Sequence, residues 1–346
     1  MLKKLPRVKI ANLPTPLHEV KRLSELLGGP KILFKRDDAT GLALGGQKAR
    51  MLEYPFGDAI ARGCDVVVTI GSEDSNLACQ TVATAKRFGI EPVLVFLKRR
   101  RKELTGNALL INLLDPVVIQ TPWSYAEVEH VRQKVQDVIA DLKRHGRNPF
   151  FIDYEFWEPL GVVSLFYCVQ EIMQQLEEMG ETAKSIYVAN AGGITQGGLI
   201  IGAKYFHAPF DVVGTMTIAG FKKEDRMREV AHLANTGAEL AGADVKVDPS
   251  EVILRDENIG EYWGPLGQAT QEAIEAIRLV AKTEGIFLDP HYTGKNMASL
   301  LCDIRQGKFT SENTVIFYLT GGAPIIFPYH DKLQIENRTN IEVLYR

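Results

Sequence analysis

Short apolar, β-branched runs recur along the chain at Lys31–Lys35, Val66–Ile70, Pro92–Leu97, Val117–Gln120, Ser185–Ala189, Val212–Ile218 and Thr314–Leu319. Between them the apolar spacing predicts helices over Gln47–Arg62, Asn76–Phe88, Tyr125–His145, Val163–Met179 and Gln268–Glu284. In the last of these, Ala273, Ile274, Ile277 and Val280 fall on one helical face. Strands that alternate with helices, and that are apolar without a polar side, predict parallel sheets covered on both faces, an α/β architecture. No internal repeat or low-complexity linker interrupts the pattern. A chain of 346 residues exceeds what one hydrophobic core usually serves, so two lobes with a cleft between them are expected.

Composition narrows the function classes. The chain is 45% hydrophobic and 24% charged, close to a globular average, and excludes a fibre or a disordered segment. A formal charge of -3 exerts no general pull on nucleic acid or an acidic membrane. The one basic run, Lys98 to Lys102, lacks interleaved aromatics and reads as a solvated connection. No apolar run approaches the roughly 20 residues that span a bilayer, and Met1 to Ile10 lacks the core of a signal peptide. Cys64, Cys79, Cys168 and Cys302 are widely spaced, which fits reduced thiols in the cytoplasm and no metal site.

Candidate chemistry is concentrated in three places. In the first, Lys48 follows Gly45-Gly46 at a predicted helix start. Glycines let the backbone approach a ligand, and the helix dipole disfavours an ammonium there, which suits a Schiff-base lysine. In the second, the strand Ser185–Ala189 runs into Asn190-Ala191-Gly192-Gly193-Ile194-Thr195 and then a helix. A glycine turn at a helix N-terminus offers free N–H groups and a positive dipole end, a phosphate cradle. It lacks G-x-G-x-x-G and the P-loop G-K-[ST], so a dinucleotide or nucleoside triphosphate is the weaker reading. In the third, Thr320-Gly321-Gly322 follows a strongly apolar strand and puts a hydroxyl at its carboxyl end, where α/β sheets bind ligands.

Together with Leu13-Pro14-Thr15-Pro16-Leu17, Lys35-Arg36-Asp37-Asp38, Gly71 to Thr81, Gly106 to Leu110, Pro159-Leu160-Gly161 and Glu284 to Lys295, these segments cover nearly the whole chain. They resemble the 1-aminocyclopropane-1-carboxylate deaminase and D-cysteine desulfhydrase family, pyridoxal 5′-phosphate (PLP) enzymes of the tryptophan synthase β type. The resemblance implies a two-lobed, three-layer αβα fold (PLP fold type II), with 1–49 plus 163–346 as the large cofactor-binding domain and 50–162 as the small one. It implies a homodimer and α,β-elimination or deamination of a small amino-acid substrate. Lys48 is then the cofactor lysine and the base for the α-proton. Asn76 contacts the ring hydroxyl, and Ser75 helps to anchor the substrate carboxylate. Asn190, Ala191, Gly192, Gly193, Ile194 and Thr195 cradle the phosphate, Tyr292 is an active-site tyrosine, and Thr320 lies by the ring nitrogen. Asp74 and Leu77 complete the substrate side.

The departures from the family pattern cluster on that substrate side. Asp74 and Leu77 replace the usual Gln and His around the Ser-Asn pair, and Glu73 precedes them. Glu155-Phe156-Trp157-Glu158 replaces a small glycine-rich segment, and the second tyrosine falls on Pro265-Leu266-Gly267, with Tyr262 nearby. Cyclopropane ring opening, which the resemblance links to two tyrosines, therefore depends on Tyr262. If Glu73 and Asp74 face the site they repel a second anion on the substrate, disfavour cysteate and attract a cation.

Overall fold

The computed structural model describes residues 2–99, 103–124, 127–152, 158–257 and 269–333. Its strands and helices alternate in two sheets. The smaller sheet takes β3 (Val66–Gly71), β4 (Glu91–Phe96), β5 (Val117–Gln120) and β6 (Pro149–Ile152), all parallel, in the order β5-β4-β3-β6. The larger uses β1 (Leu17–Glu19), β2 (Lys31–Arg36), β7 (Ala183–Asn190), β8 (Asp211–Met216), β9 (Ile253–Arg255) and β10 (Thr314–Leu319) in the order β1-β2-β10-β7-β8-β9. Only the three-residue β1 runs antiparallel, against β2. Every residue of β3 and of β10 is buried, as expected of strands with both faces covered.

The helices that matter for the site are α2 (Gln47–Ala61), α3 (Asn76–Arg87), α4 (Gly106–Leu114), α5 (Val128–Arg144), α6 (Glu158–Met179), α7 (Ile194–Tyr205), α8 (Lys223–Ala241), α9 (Gln271–Glu284) and α10 (Thr293–Arg305). The apolar α6 packs on α2, α7 and α8. It shares with them a core that also takes Val67 of β3 and Ile316 of β10, so one body of packed side chains links the two sheets.

Expected and observed elements differ at the short edge strands and at several helices, among them the short α1 (Lys21–Leu27) and α4. β1, β6 and β9, three or four residues each, are too short for a period to register. α8 and α10 were not anticipated: α8 carries many charges on its exposed side, while α10 is buried nearly all round and so lacks an alternating pattern. α9 begins at Gln271, where the Thr270 hydroxyl oxygen accepts from the Ala273 N–H at 3.2 Å. Its expected start at Gln268 lies outside the described residues, as do Tyr125 and Arg100 to Lys102.

Candidate active site

Three strand-to-helix junctions point at one place. At the first, Gly45 and Gly46 have φ of 81° and 131°, and a Cβ on Gly45 would lie 1.8 Å from the Asp38 carbonyl oxygen. Only glycine makes this turn. It is tied down by Gly46 N–H donating to the Asp37 carbonyl (3.0 Å) and Gln47 N–H donating to the Thr320 carbonyl (2.9 Å). Lys48 thus enters α2 in its first turn, half-buried, with Nζ 3.7 Å from Met51 Sδ.

At the second junction Ser75 caps α3, its hydroxyl oxygen accepting from the Ala78 N–H at 3.1 Å. Asn76 follows as the first helical residue, with Oδ1 accepting from Asn107 Nδ2 at 2.7 Å. At the third, Gly193 is a left-handed N-cap (φ 88°) of α7, and no side chain caps that helix. Its first N–H groups are therefore left for an anion. The Thr195 hydroxyl donates to Gln47 Oε1 at 3.1 Å, joining this loop to the start of α2.

Tyr292 is placed from below. The buried Asp289 carboxylate accepts from the N–H groups of His291 (2.9 Å), Tyr292 (2.7 Å) and Thr293 (3.0 Å) and from the Thr293 hydroxyl (2.6 Å). Burial raises the Asp289 carboxyl above its usual range against these donors. Nearby Lys295 is fully buried and donates to the Thr217 carbonyl at 2.9 Å; burial pulls its ammonium down to about 8.

The three junctions and Tyr292 open on one cavity of about 980 Å³, at the upper end of small-molecule sites. Lys48, Ser75, Asn76, Leu77, Ala191, Gly192, Gly193, Ile194, Thr195, Tyr292 and Thr320 line it. Asp74 and Asn190 do not. Asp74 turns its buried carboxylate to the Tyr329 hydroxyl, which donates at 3.2 Å. Asn190 donates to Gln196 Oε1 at 2.6 Å, and its carbonyl accepts from the Thr217 N–H. Glu73 pairs with Arg99 Nε at 3.5 Å and is likewise absent from the lining. Neither carboxylate therefore meets a substrate in the cavity directly. Instead Arg132 of α5 and Arg226 of α8 reach the cavity, the latter bonded to Glu229 at 2.6 Å and 4.2 Å over the Phe221 ring. Phe156, Trp157, Tyr262 and Pro265 to Gly267 lie outside the described residues.

Gln47, Ser72 and Gln80 also line the cavity, and the sequence motifs did not single them out. Gln80 was within reach of sequence reasoning, since it stands one helical turn beyond Asn76 on the same face. Arg132 and Arg226 gave no such signal, because α5 and α8 are distant in sequence from every motif.

The donor set fits pyridoxal phosphate: an uncapped helix start bordered by glycines for the phosphate, a lysine amine, an asparagine amide and a hydroxyl at a strand end. Among the described residues no three His, Cys, Asp or Glu gather as a metal site, and no helix is long and apolar enough to cross a membrane.

Comparison with known proteins agrees. Residues 8–321 match the model of the pyridoxal-phosphate dependent enzyme family. A putative 1-aminocyclopropane-1-carboxylate deaminase of Pyrococcus furiosus is 35% identical over 335 residues, covering 96% of this chain and 97% of its own. A D-cysteine desulfhydrase of Yersinia enterocolitica is 32% identical over 338 residues, covering 96% and 98%. The crystal structure of an ACC deaminase homologue superposes with a TM-score of 0.84 at 33% identity, over 95% of this chain and 96% of the other. With its two helix-covered sheets in the fold type II arrangement, the chain belongs to the family of pyridoxal-phosphate-dependent enzymes.

Proposed function

We propose that this cavity carries out α,β-elimination and deamination of a small amino acid to a 2-oxo acid and ammonia, with D-cysteine as the default substrate. The observation that carries the reading is the convergence of Lys48, the Ser75-Asn76 helix start, the Gly192–Thr195 loop, Tyr292 and Thr320 on one cavity. The name of the Yersinia relative supports it. When bound, pyridoxal phosphate supplies the electron sink that makes the α-proton removable. The first N–H groups of α7 would hold its phosphate, and Lys48 would hold it covalently. As a free amine, Lys48 Nζ would take the α-proton. Ser75 and the first N–H groups of α3 hold the substrate carboxylate. Tyr292 moves a proton at the β-leaving group, whose bond to the β-carbon breaks as the Cα–H electrons move in, and water then releases the nitrogen as ammonia.

The test is a panel of D- and L-amino acids assayed for 2-oxo acid. D-cysteine is expected to give pyruvate, sulfide and ammonia. Absence of 2-oxo acid from every member would overturn the reading, whereas an inverted or a β-substituted product would redirect it to racemase or replacement chemistry. The panel includes amino acids with anionic and with cationic side chains, because Arg132 and Arg226 reach the cavity while each is paired with a carboxylate, Glu129 and Glu229. Tyr292→Phe is expected to lower kcat for elimination by about 10²-fold or more while the cofactor stays bound, as the loss of a proton-transfer group does. Steady-state kinetics with a cofactor absorbance check decide this.

We further propose the lobe boundaries 1–49 plus 163–346 and 50–162. Segregation of the strands supports them, with 66–152 supplying the smaller sheet and 17–36 and 183–319 the larger. The free thiols fit a cytoplasmic location. A homodimer is supported by the apolar edge strand β5 and the helix before it, where Leu113 is 73% and Val118 48% exposed. Light scattering should give twice the monomer mass, and Leu113→Asp should lower it.

A further inference from the structure

The segment that follows β10 touches the supports of two side chains in the proposed chemistry, Ser75 and Tyr292. Gly322, at its start, comes so close to Asp289 that an added Cβ would stand 2.8 Å from Oδ2 of the carboxylate that holds the Tyr292 N–H. Two residues further on, the Pro324 carbonyl lies against the first residue of α4, where a Cβ on Gly106 would meet it at 2.5 Å. The next residue of α4, Asn107, donates from Nδ2 to the Asp74 carbonyl at 3.1 Å. The same segment then brings the half-buried Tyr329 to two partners. Its hydroxyl donates to Asp74 Oδ2 at 3.2 Å, and its ring lies 4.3 Å from the His291 ring, edge to face at 87°.

Each partner stands immediately before one of those residues: Asp74 before Ser75, and His291 before Tyr292. Adjacent Cα atoms are about 3.8 Å apart, so whatever fixes residue 74 or 291 also fixes its neighbour. Both partners are buried, Asp74 at 5% and His291 at 0% exposed, and cannot swing out to solvent. Ser75 caps α3, which packs on β3 of the smaller sheet, whereas Tyr292 caps α10, which packs on β7 and β8 of the larger. Tyr329 therefore joins two turns that belong to different sheets. Packing alone would be served by phenylalanine. The hydroxyl set on a buried carboxylate is the part that packing does not require.

We propose that Tyr329 is a positioning residue: through Asp74 and His291 it sets Ser75, which holds the substrate carboxylate, against Tyr292, which moves the proton at the leaving group. The inference rests on the roles proposed for Ser75 and Tyr292 and adds the residue that fixes their separation. Its two halves act on different steps. The hydroxyl steadies the Asp74-Ser75 turn and so governs substrate binding. The ring steadies the His291-Tyr292 turn and so governs proton transfer.

The test uses the protein loaded with pyridoxal phosphate. It reads KM and kcat for D-cysteine, and the dissociation constant of D-alanine, which has no leaving group to lose, from the cofactor's absorbance. Tyr329→Phe keeps the ring and drops the hydroxyl. It is expected to raise KM and the D-alanine dissociation constant about tenfold, the worth of one hydrogen bond, with kcat little changed. Asp74→Leu is expected to match it, and the double variant to be no weaker than either single one. Asp74→Asn keeps an acceptor and is expected to stay near the unaltered affinity. Tyr329→Leu is expected to lower kcat about tenfold or more as well, as misplacement of a reacting group does. A Tyr329→Phe protein with KM and dissociation constant unmoved would show that the residue only packs, and additive losses in the double variant would show that it does not act through Asp74; either overturns the proposal. Should the leucine variants fail to fold, Tyr329→Phe and Asp74→Asn decide alone. If the unaltered protein bound D-alanine yet formed no 2-oxo acid from any amino acid, the proposed reaction would fall, and the dissociation constants would still decide the role of Tyr329. If it bound no amino acid, both would fall.

Discussion

Lys48→Ala is expected to lower turnover by at least about 10³-fold and to abolish the visible absorption that comes from covalent cofactor attachment. Both follow from one amine serving as anchor and as proton acceptor, since loss of a positioned base alone removes about 10²–10⁴-fold. The fold should not suffer. Lys48 is half-buried in the first turn of α2, so the thermal midpoint is expected to stay within about 2 °C. A variant that remained active and coloured would remove Lys48 from the centre of the reading.

The largest stability effect is expected two residues along the same helix. Arg50 is almost wholly buried and forks onto two carboxylates: Nε and Nη2 donate to Asp37 at 2.9 and 2.8 Å, and Nη1 and Nη2 to Glu171 at 2.8 and 3.0 Å. Lys35 Nζ adds a bond to Glu171 at 2.5 Å, and the Tyr318 hydroxyl donates to Asp37 at 2.5 Å. Arg50→Leu leaves buried carboxylates short of a partner, which costs about 3–5 kcal/mol, measurable by denaturant unfolding. The network also sets an acid limit. Burial alone would raise both carboxyls, but Arg50 and Lys35 hold Asp37 and Glu171 below their ordinary range. Groups so depressed stabilise the fold above their unfolded pKa of about 4 and lose that contribution as pH falls through their lower folded values. Unfolding midpoints should therefore fall steeply below about pH 4 in the unaltered protein and less steeply in Arg50→Leu. Parallel curves would mean that other carboxylates set the limit.

The place of Lys48 at the cavity was legible because its turn needs glycine at two positions, and Gly45-Gly46 is a local signature. The glycine turn before α7 was legible for the same reason, and the α/β class because buried parallel strands write continuous apolar runs. What escaped depends on contacts between distant segments. Asp74 sits beside the Ser75-Asn76 pair in sequence, yet its carboxylate faces Tyr329, more than 250 residues away. Asn190 opens the glycine loop but is held in by Gln196 and the Thr217 backbone. Arg132 and Arg226 enter the cavity from helices that no motif marks. Adjacency in the chain located the site, and side-chain direction within it was set by partners that the local pattern does not contain.

The strand order of the larger sheet has a consequence for biosynthesis. β10, the last strand made among the described residues, lies between β2 and β7, pairing with both. While the ribosome is still translating, β2 and the block β7-β8-β9 each expose an apolar edge with no neighbour, and the turn before Lys48 lacks the Thr320 carbonyl that holds Gln47. The smaller sheet, complete by residue 152, has no such delay. The nascent chain therefore acquires its smaller sheet early and its larger sheet last, and a ribosome stalled before residue 314 should yield a product that is protease-resistant only in the earlier part.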